Sequence, residues 1–131
     1  MKQVAKLIVI NSEGKHLLMY RSKHPTFGND PDLPGGTLEA GESPLETMVR
    51  EVFEESGIVI DSAEVKQVYV GTDYSAHGTC YSLFVIKLDN TPKVSLSWEH
   101  SAYEWLDLRE FLAKAKVTQD SYMQMVYSQF K

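Results

Sequence analysis

Residues 36–58 read GTLEAGESPLETMVREVFEESGI. Between the glycines at the start and near the end stand six glutamates and one arginine. Ser43-Pro44-Leu45-Glu46 is an S-x-x-E capping box with proline at the first helical position, and Gly57 supplies a stop, so a helix is predicted between them. Leu45, Met48, Val49, Val52 and Phe53 recur at i, i+3, i+4, i+7 and i+8 and form one apolar stripe, roughly 140° wide at about 100° per residue. Arg50, Glu51 and Glu54 fall opposite that stripe, with Glu55 at its edge. Glu51, Glu54 and Glu55 are spaced i, i+3, i+4, which brings their carboxylates to one patch, where like charges repel. Three spaced glutamates alone read as a solvated face. Held together beside a packed face, they point to a cation, and all-oxygen ligands select Mg²⁺ or Mn²⁺.

Outward from this helix the chain alternates between strand and helix patterns. Residues 3–20 read as two strands around a turn at Asn11-Ser12-Glu13-Gly14. Residues 24–34 (HPTFGNDPDLP) are turn-rich, and a short strand over residues 33–38 is interrupted by Gly35-Gly36. Residues 65–70, 81–88 and 102–106 read as further strands. Asp107-Leu108-Arg109-Glu110 resembles a cap for a helix running to about Lys114, and residues 118–130 predict a final helix. Strands with an internal helix and closing helices imply a mixed α/β layered fold.

The bulk numbers narrow the function. At 131 residues, one domain over residues 1–131 with a sizeable core is expected. The net charge of −5 argues against long nucleic acid as a partner, because a polyanion needs a basic face. Six of the 18 acidic residues lie between Glu39 and Glu55, so much of the excess belongs to one site. A metal there would reverse the local sign and admit a small polyanion. No apolar run reaches membrane-spanning length, and the N-terminal MKQVAKLIVI suits a strand better than a signal peptide. Cys80 stands alone, which rules out an intramolecular disulfide and makes a cytoplasmic setting the expectation. In an apolar strand, Cys80 reads as core rather than nucleophile.

Gly36, five residues, Glu42, seven residues, and then Arg50-Glu51-Val52-Phe53-Glu54-Glu55-Ser56-Gly57-Ile58 resembles the Nudix box, G-x5-E-x7-R-E-U-x-E-E-x-G-U. All nine fixed or class-restricted positions agree, over 23 of 131 residues. The preceding Leu33-Pro34-Gly35 and the late Tyr103-Glu104-Trp105-Leu106 are similar to the flanks of that family. The resemblance implies an α/β/α sandwich around a mixed β-sheet, and a Mg²⁺-dependent hydrolase (Mn²⁺ being the alternative) that directs water at a diphosphate linkage. It also implies Glu51, Glu54, Glu55 and the Gly35 carbonyl as metal ligands, with Arg50, paired to Glu42, orienting the glutamates. The expected partner is a small nucleotide, and the expected assembly a monomer or homodimer.

The general base is open between Glu51 and Glu99, which precedes the last strand in Trp98-Glu99-His100; Glu104 is a further candidate. His77 and His100 read as surface or substrate-contacting residues, and His16 and His24 have no evident partner. Arg21 is a candidate phosphate contact, and among Phe27, Tyr74, Tyr81, Trp98 and Tyr103, aromatics able to stack on a base, Tyr74 and Trp98 are the substrate-binding candidates. Downstream cues of the ADP-ribose and NADH hydrolases are missing, and Tyr74 sits where diadenosine polyphosphate hydrolases carry a tyrosine. The short form is similar to the mutator-type triphosphate hydrolases, so a nucleoside triphosphate or other nucleoside diphosphate derivative is the expected substrate. Dinucleoside polyphosphates and nucleotide sugars are the alternatives. Two readings from other classes are weighed. A non-catalytic nucleotide-binding regulator is disfavoured by the intact box, and an isopentenyl diphosphate isomerase by lone Cys80 without a histidine cluster.

Overall fold

The apolar N-terminal run becomes the spine of a sheet. Strand β1 (Gln3–Ile10) lies parallel to β6 (Cys80–Lys87), with Gln3 opposite Cys80 and Ile10 opposite Lys87. The structure is a computed structural model that describes residues 1–21 and 30–131. Among these, β2 (His16–Arg21), β3 (Pro31–Asp32), β4 (Gly35–Thr37), β5 (Lys66–Gly71) and β7 (His100–Leu106) complete a sheet of seven strands in the order β3-β2-β1-β6-β5. Off that path, β4 pairs with β1 and β7 with β2. Every pairing except β1–β6 is antiparallel, so the sheet is mixed.

The period-2 alternation of strand side chains gives the sheet two apolar faces. Ala5, Leu7 and Val9 of β1 join Leu17, Met19, Phe84 and Ile86 on one face, packed by Met48 and Val52 of helix α1 (Pro44–Ser56). Ile8, Leu18 and Leu83 point the other way. They pack against Phe111 and Ala115 of α2 (Leu108–Val117) and Met123, Met125 and Val126 of α3 (Ser121–Phe130). The result is an α/β/α sandwich, as expected. Each fully buried side chain such as Met48 or Val52 contributes about 1.5–3 kcal/mol of transfer free energy.

Local chemistry sets the element ends. In α1 the capping box forms: Ser43 Oγ accepts from Glu46 N (3.1 Å), and Glu46 Oε1 accepts from Ser43 N (2.9 Å). Gly57 closes the helix by donating its N–H to Phe53 O at 2.9 Å. One member of the expected apolar stripe departs from it: Phe53 is 55% exposed, because its angular position carries it past the sheet contact. The final helix begins at Ser121 rather than Thr118. Thr118 Oγ1 instead donates to the buried Asp30 at 2.8 Å, and Asp120 caps α3 through Tyr122 N at 3.0 Å.

His16 lies buried with its ring 5.3 Å from that of Phe111. His24, Phe27 and most of the turn-rich stretch lie outside the described residues.

Candidate active site

The first site residues come from the start of α1. Arg50 stands on the charged face and gathers acids from two elements. Its Nε and Nη2 donate to Glu42 Oε2 and Oε1 at 2.7 and 2.9 Å, and Nη1 donates to Glu51 Oε1 at 2.9 Å and Glu54 Oε2 at 3.2 Å. Glu42 also accepts from Thr47 Oγ1 at 2.7 Å and Glu39 N at 3.0 Å. The Arg50 hydrogen bonds, with these two, hold the Glu42 carboxyl down at about 2. Glu42 and Arg50 thus form the pair that the resemblance implied.

The three box glutamates take different stations. Glu54 faces solvent beside Arg50. Glu51 lies against Gly36, where a Cβ would come within 2.7 Å of its carboxyl carbon. Glu55 is only 3% exposed and accepts from Gly35 N at 3.3 Å. Glu51 links the two groups: it meets Glu55 against the glycine pair and shares Arg50 Nη1 with Glu54. Among the described residues, no three Asp, Glu, His or Cys side chains gather closely enough to hold an ion between them. The single patch expected from helical spacing is instead a chain of carboxylates, from buried Glu55 through half-buried Glu51 to exposed Glu54.

Burial pushes the Glu55 carboxyl up to about 9, helped by its hydrogen bond with Glu51. The folded protein thus keeps a proton that the unfolded chain, at the ordinary 4.5, releases. For an acid with a raised folded value, the stability present below about pH 4.5 is lost progressively as pH rises towards about 9. Metal-free protein should therefore melt at falling temperature across that window, and Glu55→Gln should flatten the slope. Thermal scans in a chelator-containing pH series test this, and an unchanged slope in the variant would remove Glu55 as its source.

Beside Glu55 opens a pocket of about 350 Å³, lined by Gly35, Gly36 and Glu55 on the box side, by Val4, Lys6, Arg21, Asp32 and Tyr81 of the sheet, by Glu99 of the turn before β7, and by Asp120 and Tyr122 at the start of α3. Its floor is charged. Lys6 Nζ donates to Asp32 Oδ1 at 2.5 Å and lies 5.2 Å from the centre of the Tyr122 ring. Arg21 Nε reaches Asp32 Oδ2 at 3.2 Å and its Nη2 reaches Asp120 Oδ2 at 3.2 Å. Burial would raise the Asp32 carboxyl, but Lys6, the hydrogen bond from His100 and Arg21 outweigh it and hold the group well below the usual carboxylate range. Gly35, at φ 146°, is what lets Lys6 lie there. A Cβ on Gly35 would sit 2.3 Å from Ala5 O and 2.6 Å from Lys6 Cγ.

The NUDIX domain family model matches residues 1–125. This chain belongs to the NUDIX domain family. An 8-oxo-dGTP diphosphatase of Haemophilus influenzae is 40% identical over 63 residues, covering 48% of this chain and 46% of that protein. An asymmetrical bis(5'-nucleosyl)-tetraphosphatase of Sus scrofa is 39% identical over 83 residues, covering 59% of this chain and 55% of that protein. The chain spans about half the length of the curated relatives it matches. Among solved structures, a MutT protein from Methanosarcina mazei Go1 superposes with a TM-score of 0.75 at 26% identity, covering 98% of this chain and 91% of that one. An Ap4A hydrolase of C. elegans in a binary complex shares the fold, with a TM-score of 0.72 at 24% identity over 99% and 97% of the two chains.

Within this NUDIX domain the remaining candidates divide by place. Arg21 and Glu99 line the pocket. Tyr74 and Trp98 are not among the described residues that line it: Tyr74 packs edge-on against Tyr69, ring centres 5.7 Å apart, and Trp98 is 86% exposed. Glu104 accepts from the Tyr20 hydroxyl and from Lys114 Nζ (3.1 Å) on exposed β7, away from the pocket lining. His77 is exposed, but His100 corrects the expectation of a surface or substrate-contacting residue. It is buried, and its Nε2 donates to Asp32 Oδ2 at 3.1 Å. Lys6, Asp32, Asp120 and Tyr122 escaped the sequence reading. Lys6 carried a signal, since it is the lone charge inside the apolar run VAKLIVI. Asp32 between two prolines carried none.

Proposed function

We propose that this NUDIX domain hydrolyses the diphosphate linkage of a nucleoside triphosphate or related nucleoside diphosphate derivative in a Mg²⁺-dependent reaction. The carrying observation is buried Glu55 beside half-buried Glu51 against Gly35 and Gly36, at one side of a pocket with a charged floor. Two carboxyls that must retain a proton to coexist are a donor set for a hard divalent cation, which would take the proton's place. Glu51, Glu55 and the Gly35 carbonyl, joined by Glu54 once it leaves Arg50, would hold Mg²⁺ or Mn²⁺, which would supply charge neutralisation for the diphosphate oxygens.

The chain's own residues do the rest. Arg50 and Glu42 fix the carboxylates of Glu51 and Glu54. Arg21 and Lys6, held in place by Asp32 and Asp120, set N–H donors on the pocket floor for the bound nucleotide. Glu99 is a better base than Glu51, because Glu51 is committed to Arg50 and Glu55, whereas Glu99 is exposed at the pocket and has no ion-pair partner among the described residues. Glu99 takes a proton from water as its oxygen bonds to phosphorus. The bridging P–O bond breaks and its electrons leave with the departing phosphate, giving a nucleoside monophosphate and pyrophosphate, or two phosphorylated halves.

The relatives' names span an oxidised nucleoside triphosphate and a dinucleoside tetraphosphate, so the test is a panel. Nucleoside triphosphates, dinucleoside polyphosphates, ADP-ribose and nucleotide sugars are incubated with Mg²⁺, Mn²⁺ or chelator, and products are resolved by ion exchange. Metal-dependent cleavage of one class supports the reading. Binding without turnover across the panel would replace it with a nucleotide-binding regulator.

A further inference from the structure

The segment that carries Glu99 is tied down on both sides. Upstream, Ser95 N donates to Ser56 O at 2.8 Å and Ser97 N to Glu55 O at 3.3 Å, so the backbone runs along the last turn of α1. At the centre, Ser97 Oγ accepts from Glu99 N and Ser97 O accepts from His100 N, each at 3.3 Å, which closes a tight turn. Downstream, His100 is buried and donates from Nε2 to Asp32 Oδ2 at 3.1 Å, while its Nδ1 has no partner among the described residues. The imidazole's one side-chain hydrogen bond is thus to the anion that also holds Lys6 and Arg21 on the pocket floor. Glu99 itself is exposed and lines the pocket between these two fixed points.

We propose that His100 is a positioning residue. By anchoring to Asp32 it fixes the turn of residues 97–100, so that Glu99 stays in the pocket that Gly35, Gly36 and Glu55 also line. Without that anchor, the downstream side of the turn keeps only the backbone pairing of His100 with Arg21, at the irregular end of the β2–β7 ladder, and Glu99 shifts in the pocket. The proposal rests on the reading of Glu99 as base. Displacing a base by about 1 Å costs roughly a hundredfold in rate, so an anchor of this kind acts on turnover and leaves binding alone.

The test compares wild type, His100→Leu, His100→Gln, Glu99→Gln and the double variant Glu99→Gln/His100→Leu on the best nucleotide of the panel with Mg²⁺, after melting scans confirm folding. His100→Leu should lower kcat roughly 10- to 100-fold with KM within about threefold. Glutamine, whose Nε2 can reach Asp32, should restore most of it. In the Glu99→Gln background, His100→Leu should cost less than about twofold, the non-additivity of residues acting through one another. Should His100→Leu fail to fold, His100→Asn, polar but too short to reach Asp32, carries the same comparison. Equal losses in both backgrounds, or no loss of kcat, overturn the proposal, as does a Glu99→Gln protein with wild-type turnover. Amide exchange gives a readout independent of activity: the Glu99 and His100 amides should exchange at least about tenfold faster in His100→Leu than in wild type or His100→Gln. Unchanged exchange overturns the anchor even for a wild type that hydrolyses nothing, an outcome that separately counts against the proposed function.

Discussion

Glu55→Gln should lose on the order of 10³-fold in metal-dependent kcat while its metal-free form melts at higher temperature than wild type above neutral pH. The two effects have opposite signs because they come from one buried carboxyl. Removing a metal ligand forfeits several kcal/mol of charge stabilisation in the transition state, and about 1.4 kcal/mol corresponds to each decade of rate. Without metal, the same group is a liability, since burial and Glu51 raise it to about 9 and the unfolded chain, which releases that proton from about pH 4.5 upward, gains on the fold up to that value. Glutamine keeps the shape and the acceptor for Gly35 N and has no proton to lose. Mg²⁺ should raise the wild-type melting temperature most at the alkaline end and leave the variant nearly unmoved. Paired kinetics and melting scans check both halves, and a variant with near wild-type turnover would show that Glu55 is no ligand.

Asp32→Asn should be the most destabilising conservative substitution in the pocket. Asp32 is the shared anion of Lys6, Arg21 and His100, and Lys6 is nearly as buried as its partner. Leaving a buried ammonium without its counter-ion costs about 3–5 kcal/mol. For a chain of this length that is a fall in melting temperature on the order of 10–20 °C. The double change Lys6→Met/Asp32→Asn should recover a large part, because a neutral pair carries no desolvated charge. The pH dependence has the sign opposite to that of Glu55. With its folded value depressed below the ordinary 3.8, Asp32 contributes stability that is present above about pH 4 and lost as pH falls below it. Urea titrations of wild type, Asp32→Asn and Lys6→Met/Asp32→Asn at neutral and acid pH measure these effects. A single variant as stable as wild type would mean that the Lys6 charge finds another partner.

The helix and its box were legible because their signals are local. Ser43, Glu46 and Gly57 mark the ends of α1, and Met48 and Val52 its buried face, through short-range periodicity. The Glu42–Arg50 pair was implied by the box for the same reason. The partition of the glutamates was not legible. Helical spacing places Glu51, Glu54 and Glu55 on one face, but the backbone of Gly35 and Gly36, brought up by β4 on β1, buries Glu55 with Glu51 beside it, while Arg50 ties Glu51 to exposed Glu54. The pocket floor was hidden for a related reason. Lys6, Asp32, His100 and Asp120 come from four separate elements and meet only through the sheet order. His100 beside Glu99 read as a surface residue, since nothing near it in the chain announces Asp32. Trp98 attracted notice as an aromatic residue, yet the turn that presents Glu99 leaves it facing solvent.

The parallel pairing of β1 with β6 also has a consequence for how the protein is made. Val4 and Lys6 on one strand and Tyr81 on the other share a pocket wall, yet the polypeptide between them includes the whole of the box helix. Contacts between such distant segments form slowly, because the intervening loop must close before any of them is gained. The box helix, with its own caps, can organise early, but the cavity beside it cannot exist until the first strand is inserted between β2 and β6. During synthesis, then, the acidic motif leaves the ribosome before it has a pocket beside it, and the finished pocket should arrive late in folding, with completion of the sheet.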